Sequence, residues 1–485
     1  MPFAFDTSYA RLPERFYRRV TPSPVAAPRL LALNEPLARV LGVDPDRLRT
    51  PESVARLAGN GTFEGSEPIA LAYAGHQFGG FNPQLGDGRA LLLGEVVGND
   101  GMRRDVQLKG SGRTPFSRGG DGRAAIGPVL REYVVSEAMH ALGIPTTRAL
   151  AAVATGEVVL RERPLQGAVL TRVATSHLRV GTFEFFAARR DREALEQLVR
   201  YALERHAPAE AKAERPALAL LAAVSDAHAS LVARWMGVGF VHGVMNTDNT
   251  SISGETLDYG PCAFLDAYHP ERVFSSIDEG ARYAFGHQPR IALWNLARLG
   301  EALLDVIDED EANAVRLATD VLDRFQARFL EAYGRVLADK LGLAASDETT
   351  ALGERLLERM MHARADFTNT WRTLAGCAAD PTRDAELLAL LGSDEDARAW
   401  LAAWRERLGE SGPLSAERMR AASPALIPRN HRVEEMIAAA TEGDLAPFHR
   451  LTRALARPYD DPPENADLST PPGNEQWRYR TFCGT

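Results

Sequence analysis

Lysine is almost absent from this sequence. Of 56 basic residues in a chain of 485, only Lys109, Lys212 and Lys340 are lysines, and the other 53 are arginines. Genome composition accounts for such a bias, but each surviving lysine then asks for a reason, because a compact ammonium and a planar guanidinium fork are not interchangeable. Cysteine is nearly as scarce. Cys262, Cys377 and Cys483 are too few for a disulfide scaffold or a four-cysteine zinc site, and a reducing, cytoplasmic setting is expected. Long apolar runs are missing as well. The best of them, residues 218–240, is interrupted by Asp226, His228 and Arg234, and the opening MPFAFDTSYARLPERFYRRV lacks the apolar core of a signal peptide. Neither a membrane span nor a membrane partner is expected. Positive charge is not in excess: 65 acidic residues leave a net charge of -9, which excludes a chain-wide basic field, so nucleic acid is not an expected partner.

What is present is the balance of a globular protein, 45% hydrophobic and 25% charged. The length suits roughly two to four lobes or domains. Residues 1–80 read as mixed loops and short helices, rich in Pro and Gly. From Arg89 the texture changes. ALLLGEVV (90–97) is strand-like, Gly98-Asn99-Asp100-Gly101 is a turn, and DVQLK (105–109) alternates apolar and polar residues up to Lys109. A Gly-rich stretch, 110–127, leads to Pro128, where a helix accepts its first residue. That helix runs to Leu142 and stops at Gly143. A second hairpin is expected from 149–154 and 157–161, turning at Thr155-Gly156, with a further strand at 168–173. After about residue 187 the pattern is helical, and from 291 to about 456 almost wholly so. The tail, 458–485, carries Pro462-Pro463 and Pro471-Pro472 and reads as an extended strap.

The segment with the most chemistry is HGVMNTDNTSISGETLDYG, 242–260. It follows the order of a protein-kinase catalytic loop and metal-binding triplet, H-R-D-x-x-x-x-N and D-F-G. His242 stands for the His, Asn249 falls seven residues on, and Asp258-Tyr259-Gly260 replaces D-F-G with one aromatic exchange. Asn and Asp are hard oxygen ligands suited to Mg²⁺ on phosphates. The catalytic Asp, however, is replaced by Val244, which cannot accept a proton. Upstream, Lys109 ends a strand and Glu132 follows in the next helix, the order of the kinase Lys–Glu pair. Gly86-Asp87-Gly88-Arg89 opens the first strand with glycines that let backbone N–H groups approach phosphate and a fixed charge beside them. Asp121 and Gly122 lie in the Gly-rich connection, where an ordinary kinase is short. Arg172 and Arg179 flank a strand exit and are candidate anion contacts. For each of these glycines and arginines, a surface turn or a solvated side chain is the alternative.

The runs QLKGSGRTPFSRGGDGRAAIGPVLREYVVSEAMHALGIPTTRALA (107–151), HGVMNTDNTSISGETLDYGPCAFLDAY (242–268) and PRNHRVEEMI (428–437) resemble the selenoprotein O, or YdiU-type, family. The resemblance extends over essentially the whole chain. It implies an α+β, protein-kinase-like bilobal fold: an N-terminal extension (1–80), a small β-rich lobe with the nucleotide loop (81–187), a helical lobe with the catalytic loop and DYG (188–300), a helical extension (301–457) and the tail. It implies ATP bound in reverse and AMP transferred to protein Ser, Thr or Tyr hydroxyls, with Mg²⁺ or Mn²⁺. UMP transfer from UTP with Mn²⁺, or a catalytically dead nucleotide-binding pseudokinase, are the alternatives. By the same resemblance Gly86, Gly88, Arg89, Lys109, Asp121, Gly122, Arg172, Arg179 and Asp258 hold nucleotide, Lys109 and Glu132 form the ion pair, Asn249 and Asp258 bind the metal, and Asp248 takes the proton. Cys262, just after the DYG, and Cys483, on a tail long enough to fold back, form a candidate redox pair, whereas Cys377 reads as an inert helical thiol.

Overall fold

A computed structural model describes residues 3–473 and 479–481. Its first half is built on a nine-stranded antiparallel sheet, with the central path Tyr17–Arg19, Ile69–Leu71, Ala90–Val97, Arg103–Lys109, Pro164–Ala174, Arg148–Leu160, Arg29–Leu33. Residues before 80 therefore supply strands to this sheet, and helices among them (Glu35–Val40, Pro51–Leu57) cover its outer face, where Leu37, Leu41 and Leu57 pack on Val106, Leu108 and Val169. The period of two in the Lys109 strand explains the division. Val106 and Leu108 point to that outer core, and Asp105, Gln107 and Lys109 line the opposite face, towards the cleft. In the neighbouring strand Arg172 stands opposite Gln107 and Leu170 opposite Lys109, so register alone brings Arg172 onto the same face.

The turn expected at Thr155-Gly156 is not there. Arg148–Leu160 is one strand of 13 residues, irregular between Ala154 and Val158, and the chain reverses at 161–163 to pair with Pro164–Ala174. Gly156, at φ 72°, makes a bulge inside the strand. The helix after the Gly-rich connection spans Ile126–Ala141 and buries Val129, Leu130, Tyr133 and Val134 against the sheet and against helix Asn430–Thr441.

The second half is helical, as expected. Pro216–Val238 is apolar and long enough to cross a membrane by length and composition. Here it is the centre of the helical lobe, packed on Gln288–Ile307 and Glu311–Leu341 through Leu221, Val224, Leu231 and Val232. It leads into Phe240–Val241, which pairs with Ala263–Phe264. This short ribbon brackets residues 242–262. Asn295, from the Gln288–Ile307 helix, ties that loop down by donating to Met245 O (3.0 Å) and Thr250 Oγ1 (2.9 Å). The α+β arrangement, a sheet lobe against a helical lobe, is kinase-like. The tail is less extended than its prolines imply: Ala466–Ser469 is a helical turn, and residues 479–481 run alongside Ser275.

A buried polar cluster fastens the Lys109 strand to the helical half. Asp105 accepts from Arg205 Nη2 (2.6 Å) and from His177 N (2.8 Å) and Nδ1 (3.0 Å). Burial holds His177 down at about 4, against the pull of Asp105. An unfolded histidine titrates near 6.5. The folded His177 therefore contributes stability that is complete above about pH 6.5 and is lost as the pH falls towards 4. Between pH 7 and 4.5 the loss of unfolding free energy should be smaller in His177→Gln than in the wild type by about 2 kcal/mol. Urea titrations at the two pH values measure it; equal losses in both proteins would show that His177 is not held neutral.

Candidate active site

Lys109 Nζ lies 2.6 Å from Glu132 Oε2 and 3.1 Å from Asp258 Oδ1. The three residues come from a strand end, a helix and the loop after the catalytic segment, so the expected ion pair is present and is extended to the DYG aspartate. Arg172 stands on the other side of Glu132, with Nη1 3.3 Å from Oε1, and its Nη2 donates to Gln107 Oε1 at 2.6 Å. Burial opposes the charge on Asp258, but Lys109, Arg172 and Arg89 outweigh it and hold the carboxyl well below the usual range. Asp258 is thus an anion at any working pH. Its backbone stands at φ 71°, a left-handed conformation that non-glycine residues keep at a cost of about 1 kcal/mol or more and that collects at functional sites.

A cavity of about 270 Å³ opens from this cluster. Arg89, Lys109, Glu132 and Asp258 form its polar end; Gly127, Pro128, Leu170 and Ile437 give it apolar walls. Among the described residues the Arg89 side chain has no hydrogen-bond or ion-pair partner, which leaves its charge available to an anion. Arg179 lies apart from the cavity, buried, 3.5 Å from Asp87 and stacked 4.3 Å over Tyr73. Asp87 draws no attention in the sequence between its two glycines, yet it is buried and accepts from Leu71 N and Gln107 Nε2. Burial raises its pKa, and Arg179 opposes the rise.

The glycines of this loop have a packing reason of their own. Gly86 stands at φ 76°, and a Cβ on it would lie 2.3 Å from the Phe116 ring. Gly88 abuts Phe116 O, and Ser117 donates to Gly88 O. The 86–89 turn is therefore seated on residues 114–117 of the Gly-rich connection. Farther along, Gly122 presses on Gly112 O, and Asp121 is partly exposed and held by Arg161 (2.8 Å). Neither lines the cavity, and neither is joined to the Lys109 cluster by a direct bond among the described residues.

In the catalytic segment Val244 is buried, and His242 donates or accepts only within the protein, at Leu257 O (3.1 Å) and Val244 N (3.4 Å). Asn249 donates to Val244 O at 3.1 Å, which leaves its carbonyl oxygen for a cation. Asp248 sits on the turn Thr247–Asn249. Its Oδ2 accepts from Gln77 Nε2 at 3.1 Å; its Oδ1 is closed off from water and has no partner among the described residues. Burial pushes this carboxyl up to about 6, although the Gln77 bond pulls the other way. A second group that sequence reasoning missed is the hairpin Gly75–Gln77/Gly80–Asn82, which carries Gln77 to Asp248.

Metal fit follows from the donors. Among the described residues no group of three or more His, Cys, Asp or Glu side chains is placed to cage a metal. Asp258 and Asn249 offer one carboxylate and one amide oxygen, a set that suits a hard cation shared with phosphates rather than one enclosed by protein.

Of the cysteines, Cys262 and Cys377 lie among the described residues. Cys262 is buried in an ordered stretch, and burial pushes its thiol up to about 11, so it is not the accessible thiol of a mobile segment. Cys483 lies outside the described residues. The tail nevertheless comes close: Thr481 Oγ1 donates to Pro261 O at 2.6 Å. Cys377 is buried in its helix, as expected.

The family model described as protein adenylyltransferase SelO matches residues 1–456. Proteins named protein nucleotidyltransferase YdiU are similar over the whole chain: one from Methylorubrum extorquens at 60% identity, one from Methylorubrum populi at 58% and one from a Bradyrhizobium species at 58%, each covering 100% of this chain and 99% of the relative. With a kinase-like fold, the Lys109–Glu132–Asp258 cluster and a valine at the kinase base position, the chain belongs to the SelO/YdiU family of protein nucleotidyltransferases.

Proposed function

We propose that the protein transfers AMP from ATP to Ser, Thr or Tyr hydroxyls of other proteins, with the triphosphate held in reverse of the kinase orientation. The observation that carries this reading is the pairing of a buried, apolar Val244 with Asp248, four residues on, whose Oδ1 is shielded from water and unsatisfied among the described residues. The usual base position is closed, and another carboxylate is kept in reserve. Two further features support the orientation. Arg172, buried behind Glu132, and Arg179, buried beside Asp87, suit a terminal phosphate. The apolar-walled cavity that Lys109 lines suits a base and sugar.

In this reading Lys109 and Arg89 hold the phosphates, with Glu132 fixing the ammonium. Asn249 and Asp258 would hold Mg²⁺ or Mn²⁺, which neutralises charge on the triphosphate. Asp248 takes the proton of the acceptor hydroxyl as its oxygen attacks the α-phosphorus, and pyrophosphate leaves with the electron pair of the broken P–O bond. Gly86, Gly88, Asp121 and Gly122 shape the rim around the nucleotide.

The test uses the purified protein with an acceptor lysate, Mg²⁺ or Mn²⁺, and ATP labelled on either the α- or the γ-phosphate. Label should pass to protein from the α position only. Label from the γ position would make it a kinase, and binding without transfer a nucleotide-sensing module. α-Labelled UTP in parallel decides between AMP and UMP.

A further inference from the structure

The hairpin formed by Gly75–Gln77 and Gly80–Asn82 stands outside the main sheet. It turns at Phe78 and Gly79, both at positive φ (51° and 87°), the signature of a tight two-residue hairpin turn. Its own two strands are too short to hold it in place. It is held by the catalytic turn instead. His76 N donates to Thr247 Oγ1 (2.7 Å), Gln77 Nε2 to Asp248 Oδ2 (3.1 Å), and Phe78 N to Asn246 Oδ1 (3.1 Å). Three consecutive hairpin residues thus bond the three consecutive residues 246–248. Tyr283 closes the end of this ladder by donating to Asn246 Oδ1 at 2.6 Å. Glu184 closes the middle, between the His76 ring and the Thr247 hydroxyl.

Gly75 completes the grip. A Cβ at this position would lie 2.8 Å from Asp248 Oδ1 and 2.9 Å from its Cβ, so the carboxylate lies against bare backbone. One oxygen is pressed on Gly75 and the other is tied to the Gln77 amide. A short side chain with two χ angles has no other freedom to lose.

Resting on the functional reading above, we propose that Gln77 is the positioning residue of Asp248: its amide, with Gly75 behind the carboxylate, fixes the base in the one orientation from which it can meet the acceptor hydroxyl. Among the described residues the Gln77 side chain bonds Asp248 and neither Asn249 nor Asp258. It acts only through Asp248. Proton transfer demands heavy-atom approach of about 3 Å, and misplacement by about 1 Å costs about a hundredfold in rate, so a single donor that sets the rotamer has leverage.

The experiment compares Gln77→Met, which keeps length and removes the donor, and Gln77→Glu, which keeps shape and loses the amide, each alone and in an Asp248→Asn background. AMP transfer is followed with α-labelled ATP at saturating acceptor, and nucleotide affinity is measured separately. Each single variant should lose about tenfold or more in kcat with the KM for ATP unchanged. On the residual rate of Asp248→Asn neither change should have further effect, because there is no base left to position. Wild-type kcat in both Gln77 variants would overturn the inference. So would an equal fall in the Asp248→Asn background, which would mean that the hairpin only supports the fold. A wild-type protein that transfers no AMP would overturn the functional reading, and this inference with it.

Discussion

Lys109→Ala is expected to lower the transfer rate by about a hundredfold to a thousandfold while leaving the protein folded. The rate argument starts from position. Among the described residues Lys109 is the one cation that reaches both Glu132 and Asp258, at 2.6 and 3.1 Å, and it lines the polar end of the cavity. On the proposed reading it meets the phosphates there, and a fixed charge in a water-poor site is worth far more to a developing phosphate charge than the same charge in water. The fold argument starts from what the truncation leaves behind. Removing one partner of a buried pair usually strands a charge. Here Glu132 keeps Arg172, 3.3 Å away, and Asp258 has 31% of its side chain exposed. Neither carboxylate is left bare, so the variant should melt close to the wild type. Measured α-phosphate transfer at the wild-type rate in Lys109→Ala would remove the phosphate-holding role. A collapse of the melting temperature would instead show that the lysine is chiefly structural. Lys109→Arg should not restore activity, since the longer, planar fork does not fit between Glu132 and Asp258. That offers one physical reason why a chain with 53 arginines keeps a lysine here.

Much of this cluster was legible because it depends on local periodicity. A strand of period two ending in Lys109, a helix carrying Glu132 and the DYG triplet each declare themselves within a few residues. Arg172 was singled out at a strand exit as a candidate anion contact, but its place beside Glu132 was not visible. What distinguishes it is its position opposite Gln107, and register between strands more than 60 residues apart leaves no trace in a single sequence. The Gly156 bulge misled for a related reason. A glycine at positive φ serves a turn and a bulge equally well, and only the partner strand decides. The 75–82 hairpin carried a local signal, a Phe-Gly turn between two short runs. Its role did not, because its strands of three residues are stabilised by the catalytic turn some 170 residues later. The place of Cys262 just after the DYG gave no sign of its burial. Arg131, from the Ile126–Ala141 helix, donates to the carbonyls of Gly260 and Cys262 and holds that stretch in the core.

Asp248→Asn is the variant with the largest expected loss, about 10²–10⁴-fold in kcat, the usual contribution of a general base, with nucleotide affinity retained. The substitution is nearly isosteric, and the neighbourhood can absorb it: the Gln77 amide can turn and present its carbonyl oxygen to the new side-chain NH₂. The loss should therefore reflect chemistry rather than packing. On the proposed reading Asp248 is the base, and its setting suits that role. Its Oδ1 is shielded from water without a partner among the described residues, an arrangement that costs stability unless function retains it, and burial brings its pKa up to about 6, close to the working range of a base near neutrality. If Asp248 has no catalytic role, relieving that burden should be harmless or stabilising, and Asp248→Asn should transfer AMP at the wild-type rate with an unchanged or higher melting temperature. Val244→Asp supplies the opposing arm. It restores a carboxylate at the kinase position, but in a buried, apolar setting where Val244 O already accepts from Asn249. On the proposed reading, with the triphosphate reversed, that carboxylate faces no reacting phosphorus. It should neither rescue Asp248→Asn nor create γ-phosphate transfer. Strong γ-phosphate transfer by Val244→Asp would mean that the nucleotide lies as in an ordinary kinase and that the valine alone had silenced it.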